Sequence, residues 1–92
     1  MTDLRKRYVE GLSYEKAIET LHRMARINIK HPEWGWEKEH EIWRLAEDWN
    51  DLHDGEGEIF MCEYSLDKDG NEMGYVTGFC IEDDYYLYKE EK

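Results

Sequence analysis

Two hydrophobic periods divide the chain. Tyr14, Ile18, Leu21, Ala25 and Asn28 recur at helical spacing, with Ala17 and Met24 beside them. A stripe that returns every three to four residues predicts an amphipathic helix. Ser13 is its expected N-cap, and it runs to about Lys30. Lys16, Arg23 and Lys30 fall on the opposite arc. His31-Pro32 ends it, because proline disfavours helical backbone in the residue before it. A second helix is predicted to start between Pro32 and Trp36, where proline suits a first helical turn, and to end near His53. Its core stripe is Ile42, Leu45, Ala46, Trp49 and Leu52. Glu33, Glu37, Glu41, Glu47, Asp48 and Asp51 take the opposite arc, interrupted by Arg44, with Trp36 and Trp43 at the border. Asp54-Gly55-Glu56-Gly57 closes it with a flexible turn. Residues 1–12 are short; Leu4 and Tyr8 can share one helical face, and Gly11 ends the segment.

Beyond Gly57 the period drops to two. Phe60, Cys62, Tyr64 and Leu66 alternate, and so do Met73, Tyr75, Thr77, Phe79 and Ile81. A two-residue type I′ turn at Asp69-Gly70 would set the register. Leu66 then faces Met73, Tyr64 faces Tyr75, Cys62 faces Thr77 and Phe60 faces Phe79, which makes one sheet face apolar throughout. The same register puts Cys62 and Cys80 on opposite faces and disfavours a disulfide. Gly74 and Gly78 inside a strand mark a bulge or close packing. Tyr85, Tyr86, Leu87 and Tyr88 suit a third strand after a Glu82-Asp83-Asp84 turn, and Lys89 to Lys92 form a frayed tail. The expected fold is α+β, two helices packed on a three-stranded antiparallel meander. Residues 1–92 form a single domain with an N-terminal segment (1–12), a helical half (13–54) and a β half (57–90).

Ninety-two residues make one domain with a thin core, which a homodimer would help. An apolar content of 40% with four tryptophans argues for packing rather than disorder. The charged N-terminus has no apolar stretch after it, and no run approaches the ~20 apolar residues of a membrane span. A cytoplasmic protein is therefore expected. The two cysteines are too few for a disulfide framework and read as small, reduced core residues.

Charge changes the picture most. There are 23 acids against 12 bases, a net charge of −11. Residues 1–30 hold seven of the bases and four of the acids, so the rest of the chain is strongly negative. Such a surface repels nucleic acid and anionic membrane and attracts basic protein surfaces.

Motifs for catalysis or metal binding are weak. Asp67-Lys68-Asp69-Gly70-Asn71-Glu72 begins like a calcium loop, but Glu72 and Gly78 stand where an EF-hand needs glycine and glutamate. His22, His31, His40 and His53 lack zinc-ligand spacing, and exposed or helix-capping roles suit them better. Ser13, Ser65, Cys62, Thr2, Thr20 and Thr77 sit in no recognisable nucleophile motif. Carboxylate pairs have no specificity in so acidic a chain, and no glycine-rich phosphate loop occurs. No enzymatic activity, cofactor or metal is expected. The stretch Trp34-Gly35-Trp36-Glu37-Lys38-Glu39-His40-Glu41 is either a binding surface or a core or dimer contact.

The acids are either a solubilising coat or a working surface. They continue from the second helix through every turn: Asp54, Glu56 and Glu58, then Asp67, Asp69 and Glu72, then Glu82, Asp83 and Asp84. Like charges this dense oppose folding, so a chain that keeps them is expected to use them. Carboxylates four apart on a helix stand ~5–6 Å from one another, and alternate strand residues about 6.6 Å. These spacings are comparable to those of phosphates along a DNA strand. A groove of Lys and Arg built for phosphates also accepts carboxylates. The expectation is a DNA mimic that binds a basic DNA-binding host protein and touches neither nucleic acid nor membrane.

The length, the acidic balance, and the order of weakly basic first helix, Trp/Glu-rich middle and tyrosine-rich acidic end resemble the anti-restriction nuclease (Arn) family of T-even phages. The resemblance covers the whole chain in character and rests on no signature motif, so no residue role carries over. It implies a dimeric early phage protein of the bacterial cytoplasm that blocks a McrBC-type restriction nuclease or a histone-like protein such as H-NS. The competing expectation is another phage inhibitor, an anti-CRISPR protein or polymerase modulator, that binds through its Trp/Tyr surface.

Overall fold

The computed structural model describes residues 4–31, 33, 35–67 and 69–88. The expected roles of Pro32, Trp34, the Trp36 side chain and the tail Lys89–Lys92 lie outside the described residues. The fold is α+β, with helices α1 (Leu4–Glu10), α2 (Tyr14–Lys30) and α3 (Gly35–Leu52) and a sheet of β1 (Met61–Tyr64), β2 (Gly78–Ile81) and β3 (Asp84–Leu87). Strand order is β1-β2-β3, antiparallel throughout. No helix among the described residues is long and apolar enough to cross a membrane.

Local chemistry sets the helix ends. The Ser13 hydroxyl accepts the Lys16 N–H at 3.2 Å, which satisfies one of the unpaired donors of the first turn of α2. At the other end the His31 N–H donates to the Asn28 carbonyl. The segment before Ser13 is a helix in its own right, but not on the face expected for it. Leu4 and Tyr8 are exposed, and Val9 alone is fully buried.

α2 is the central layer. It packs on α3 on one side and on β2 and β3 on the other, while α1 packs on α3. Ala17, Leu21 and Ala25 from α2 meet Ile42, Leu45, Ala46 and Trp49 from α3 in one core, which Ile59, Phe79 and Ile81 close from the β half. The α1–α2 corner is pinned to the end of α3 by polar bonds. The Trp49 indole donates to the Leu12 carbonyl at 2.9 Å. His53, expected to be exposed or to cap the helix, caps it and is buried, with Nδ1 3.1 Å from the Trp49 carbonyl of the last turn and Nε2 2.8 Å from the Glu10 carbonyl.

The strand register differs from the expected one by three residues: Cys62 stands opposite Cys80, not Thr77. Asp67 is the first cause. Its Oδ1 accepts the N–H groups of Asp69 and Asn71, and its own N–H donates to the Asn71 carbonyl, so the turn spans Asp67–Asn71 instead of closing at Asp69-Gly70. The second cause is an outward loop. Met73 N–H still bonds Ser65 O, but the next cross-strand bond runs from Thr77 N–H to Tyr64 O, leaving Gly74, Tyr75 and Val76 bulged out. The Thr77 side chain fastens this loop, taking the Leu66 N–H and donating to the Leu66 carbonyl.

That shift splits the expected apolar face in two. Phe79 and Ile81 point to the helices and are buried, whereas Phe60 points away and is 64% exposed. The outer face of the sheet carries Phe60, Cys62, Tyr64, Cys80, Tyr85 and Leu87, by the alternation of the paired strands. Gly78 lies against β3 so closely that a side chain there would overlap the Tyr86 carbonyl.

Candidate functional site

Acids from three separate stretches come near one another around the α1–α2 corner. The bond from His53 to the Glu10 carbonyl places Glu10 beside Asp54, which follows His53. Gly57 lies against the Tyr14 ring, so Glu15, Glu56 and Glu58 join the same corner. Burial, then the Glu82 carboxylate and Asp83, push the Tyr14 hydroxyl pKa up. The Glu82 carboxylate in turn accepts the Phe60 N–H at 2.9 Å. Glu10, Glu15, Asp54, Glu56, Glu58 and Asp83 are exposed, and none of them pairs with a basic side chain among the described residues.

Glu82 and Asp83 form the two-residue turn between β2 and β3, with φ values of 48° and 73°. Both therefore sit in the left-handed region, where Asn-Gly is the usual occupant and other residues pay about 1–2 kcal/mol each. The chain keeps two carboxylates at positions where backbone energetics favour others.

The expected acids on α3 divide. Asp48 is bound to Arg5 of α1 at 2.8 Å. Glu41 lies 3.8 Å from Lys38, and Glu33 bonds His31 at 3.0 Å. Glu37, Glu47 and Asp51 are exposed and make no ion pair with another described residue. Asp84 lies 3.3 Å from His22, turned toward α2 and away from the corner.

Asp67, Asp69 and Glu72 occupy the hairpin tip, at the opposite end of the strands from the Glu82–Asp83 turn. Asp67 is structural: its bonds to Asn71, Asp69 and Gly70 hold its carboxyl below the usual range. The fifteen expected acids thus do not form one array. They comprise the corner group, an exposed line on α3, a hairpin-tip group and four that are ion-paired.

Glu10, Glu15 and Glu63 escaped sequence reasoning, and Glu39 entered it only within the Trp34–Glu41 stretch. Glu10 and Glu15 belong to the basic half of the sequence, and only the docking of the α1–α2 corner on α3 brings them to Asp54. Glu39 and Glu63 line a shallow recess with His40, Trp43, Glu47 and Tyr88. Burial raises the Glu39 carboxyl pKa, with the Tyr88 hydroxyl bond opposing. Burial, then Glu39 and Glu63, push Tyr88 up to about 12. The signal for Glu63 was available: it is a charged residue on the strand face shared with Met61, which packs on the core. Comparisons with protein-family models, curated proteins and solved structures find no match to this chain.

Proposed function

We propose that this protein is a DNA-mimic inhibitor that binds the basic DNA-binding surface of a host protein and competes with DNA. The observation that carries the reading is the corner itself, where separate stretches contribute Glu10, Glu15, Asp54, Glu56, Glu58 and Asp83 without a paired cation among the described residues. The left-handed turn at Glu82–Asp83 adds to it: Glu82 is used within the fold, by the Phe60 N–H, but Asp83 is exposed at a position that costs stability. A partner's Arg and Lys would meet these carboxylates as they meet phosphates. Candidate partners are a McrBC-type restriction nuclease and an H-NS-like nucleoid protein in a bacterial cytoplasm, with the inhibitor acting as a homodimer.

The test is displacement of DNA from such a protein in a gel shift. Reversing Asp54, Glu56, Glu58 and Asp83 to Lys should abolish displacement while circular dichroism stays unchanged. Full competition by the folded, reversed protein would remove the corner as the site.

One observation favours a second reading, an inhibitor such as an anti-CRISPR protein or polymerase modulator that binds through aromatic groups. Phe60 is 64% exposed, Tyr75 65% and Leu87 45%, all in the β half. Binding through that face should survive ~0.5 M salt, where the charge mimic fails because screening shrinks to a few ångströms.

A further inference from the structure

We propose that Cys62 and Cys80 are a reversible dithiol–disulfide couple, closed within one chain by a disulfide oxidant such as oxidised glutathione. This inference is independent of the DNA-mimic reading. It reverses the sequence expectation, which placed the two thiols on opposite faces of the sheet.

The register pairs Cys62 directly with Cys80 across β1 and β2. The Glu82 N–H bonds the Phe60 carbonyl, and hydrogen-bonded pairs alternate along an antiparallel ladder, so Cys62 and Cys80 occupy a hydrogen-bonded pair. Such pairs have Cα atoms about 5.5 Å apart, within the ~4.4–6.8 Å that a disulfide spans; their Cβ atoms stand at the wide end of the cross-strand range of about 4.5–5.5 Å, so closure draws β1 and β2 together and leaves a strained, readily reduced bond. Both side chains leave the sheet on the same outer face, and they are the only cysteines in the chain.

Exposure separates their roles. Cys62 is exposed and Cys80 buried; on the same outer face the Tyr64 and Tyr85 rings meet edge to face with centroids 4.4 Å apart, Tyr85 being the β3 partner of Cys80. Burial, then the neighbouring Cys62, hold the Cys80 thiol above its ordinary pKa. An oxidant therefore reaches Cys62 first. The Cys62 thiolate attacks one sulfur of oxidised glutathione, giving a mixed disulfide and one glutathione thiolate. The Cys80 thiolate then attacks the Cys62 sulfur, forming the intramolecular bond and releasing the second glutathione. Two cysteine thiols are oxidised and one glutathione disulfide is reduced to two thiols. The bond ties the short edge strand β1 to the central strand and encloses the whole hairpin loop.

The experiment treats the folded wild-type protein with excess oxidised glutathione at mildly alkaline pH and reads intact mass. The expected product is a monomer lighter by two hydrogen atoms, without adduct, restored by dithiothreitol. Its Tm should rise by on the order of 10 °C. Cys80→Ala should instead stop at a stable glutathione adduct on Cys62, and Cys62→Ser should stay reduced. A persistent adduct on the wild type, a disulfide-linked dimer, or no reaction would each overturn the proposal. The wild-type mass decides the matter even if Cys80→Ala does not fold.

Discussion

The Trp49 and His53 rings stack with centroids 4.4 Å apart and planes 12° from parallel. They stand one helical turn apart at the end of α3, and each bonds a backbone carbonyl of the α1–α2 corner, Trp49 that of Leu12 and His53 that of Glu10. This stacked pair fixes where the corner acids sit relative to Asp54. Trp49→Phe keeps an aromatic ring but loses the indole donor and leaves the Leu12 carbonyl without it. The expected cost is about 2–4 kcal/mol from the cavity and the lost bond, read as a lower urea midpoint. Amide exchange in α1 should quicken most.

Gly78 packs within 3.2 Å of the Leu87 Cα at the position a Cβ would take, besides overlapping the Tyr86 carbonyl. Backbone, not a flexible side-chain end, would have to move. Gly78→Ala should therefore cost about 2–3 kcal/mol, measured by chemical denaturation. An unchanged midpoint would mean that β2 and β3 stand further apart than described.

Asp83 has a φ of 73°. Asp83→Gly relieves the left-handed strain and should stabilise the fold by about 1 kcal/mol, visible as a higher Tm. The same change removes one corner carboxylate, so it should weaken displacement of DNA. Stability and binding moving in opposite directions is the outcome that distinguishes a working acid from a solubilising one.

Arg5 holds Asp48 at 2.8 Å, with both side chains more than a third exposed. Solvent screening limits such a pair to less than about 1 kcal/mol. Arg5→Ala should barely move Tm. It should strengthen competition with DNA, because it frees a carboxylate on α3 and removes a cation beside it. Titrated gel shifts of the two proteins at one salt concentration check this.

Glu39 has a raised carboxyl pKa in the fold, chiefly from burial. The folded state thus binds its proton more tightly than the unfolded chain does, and stability falls as pH rises through the carboxylate range. Glu39→Gln should stabilise the fold at neutral pH by less than about 1 kcal/mol after screening, read as a slightly higher Tm, and the advantage should vanish in acid. Asp67 has the opposite sign, since its carboxyl is lowered by backbone donors. Its contribution is complete above its ordinary pKa and is lost as pH falls, so the hairpin tip should loosen first on acidification.

The sequence by itself determined α2, α3 and the core between them, but left the α1 segment open. Ser13, the Tyr14–Asn28 stripe and the Ile42–Trp49 stripe are local patterns whose period and caps leave one arrangement open. It also determined the α+β class and the negative charge of everything after the first thirty residues. The strand register was not local. Asp69-Gly70 offered a two-residue turn, but Asp67 built a wider one and the Gly74–Val76 loop shifted the partner strand, so Phe60 turned outward and Cys62 met Cys80. A register slip of an odd number of residues exchanges the two faces of a strand, and its energy comes from packing against α2, which no window of sequence contains. The acids divided for the same reason. Which carboxylates met Arg5, His22 or Lys38, and which were left at the corner beside Glu10 and Glu15, depended on how distant stretches docked.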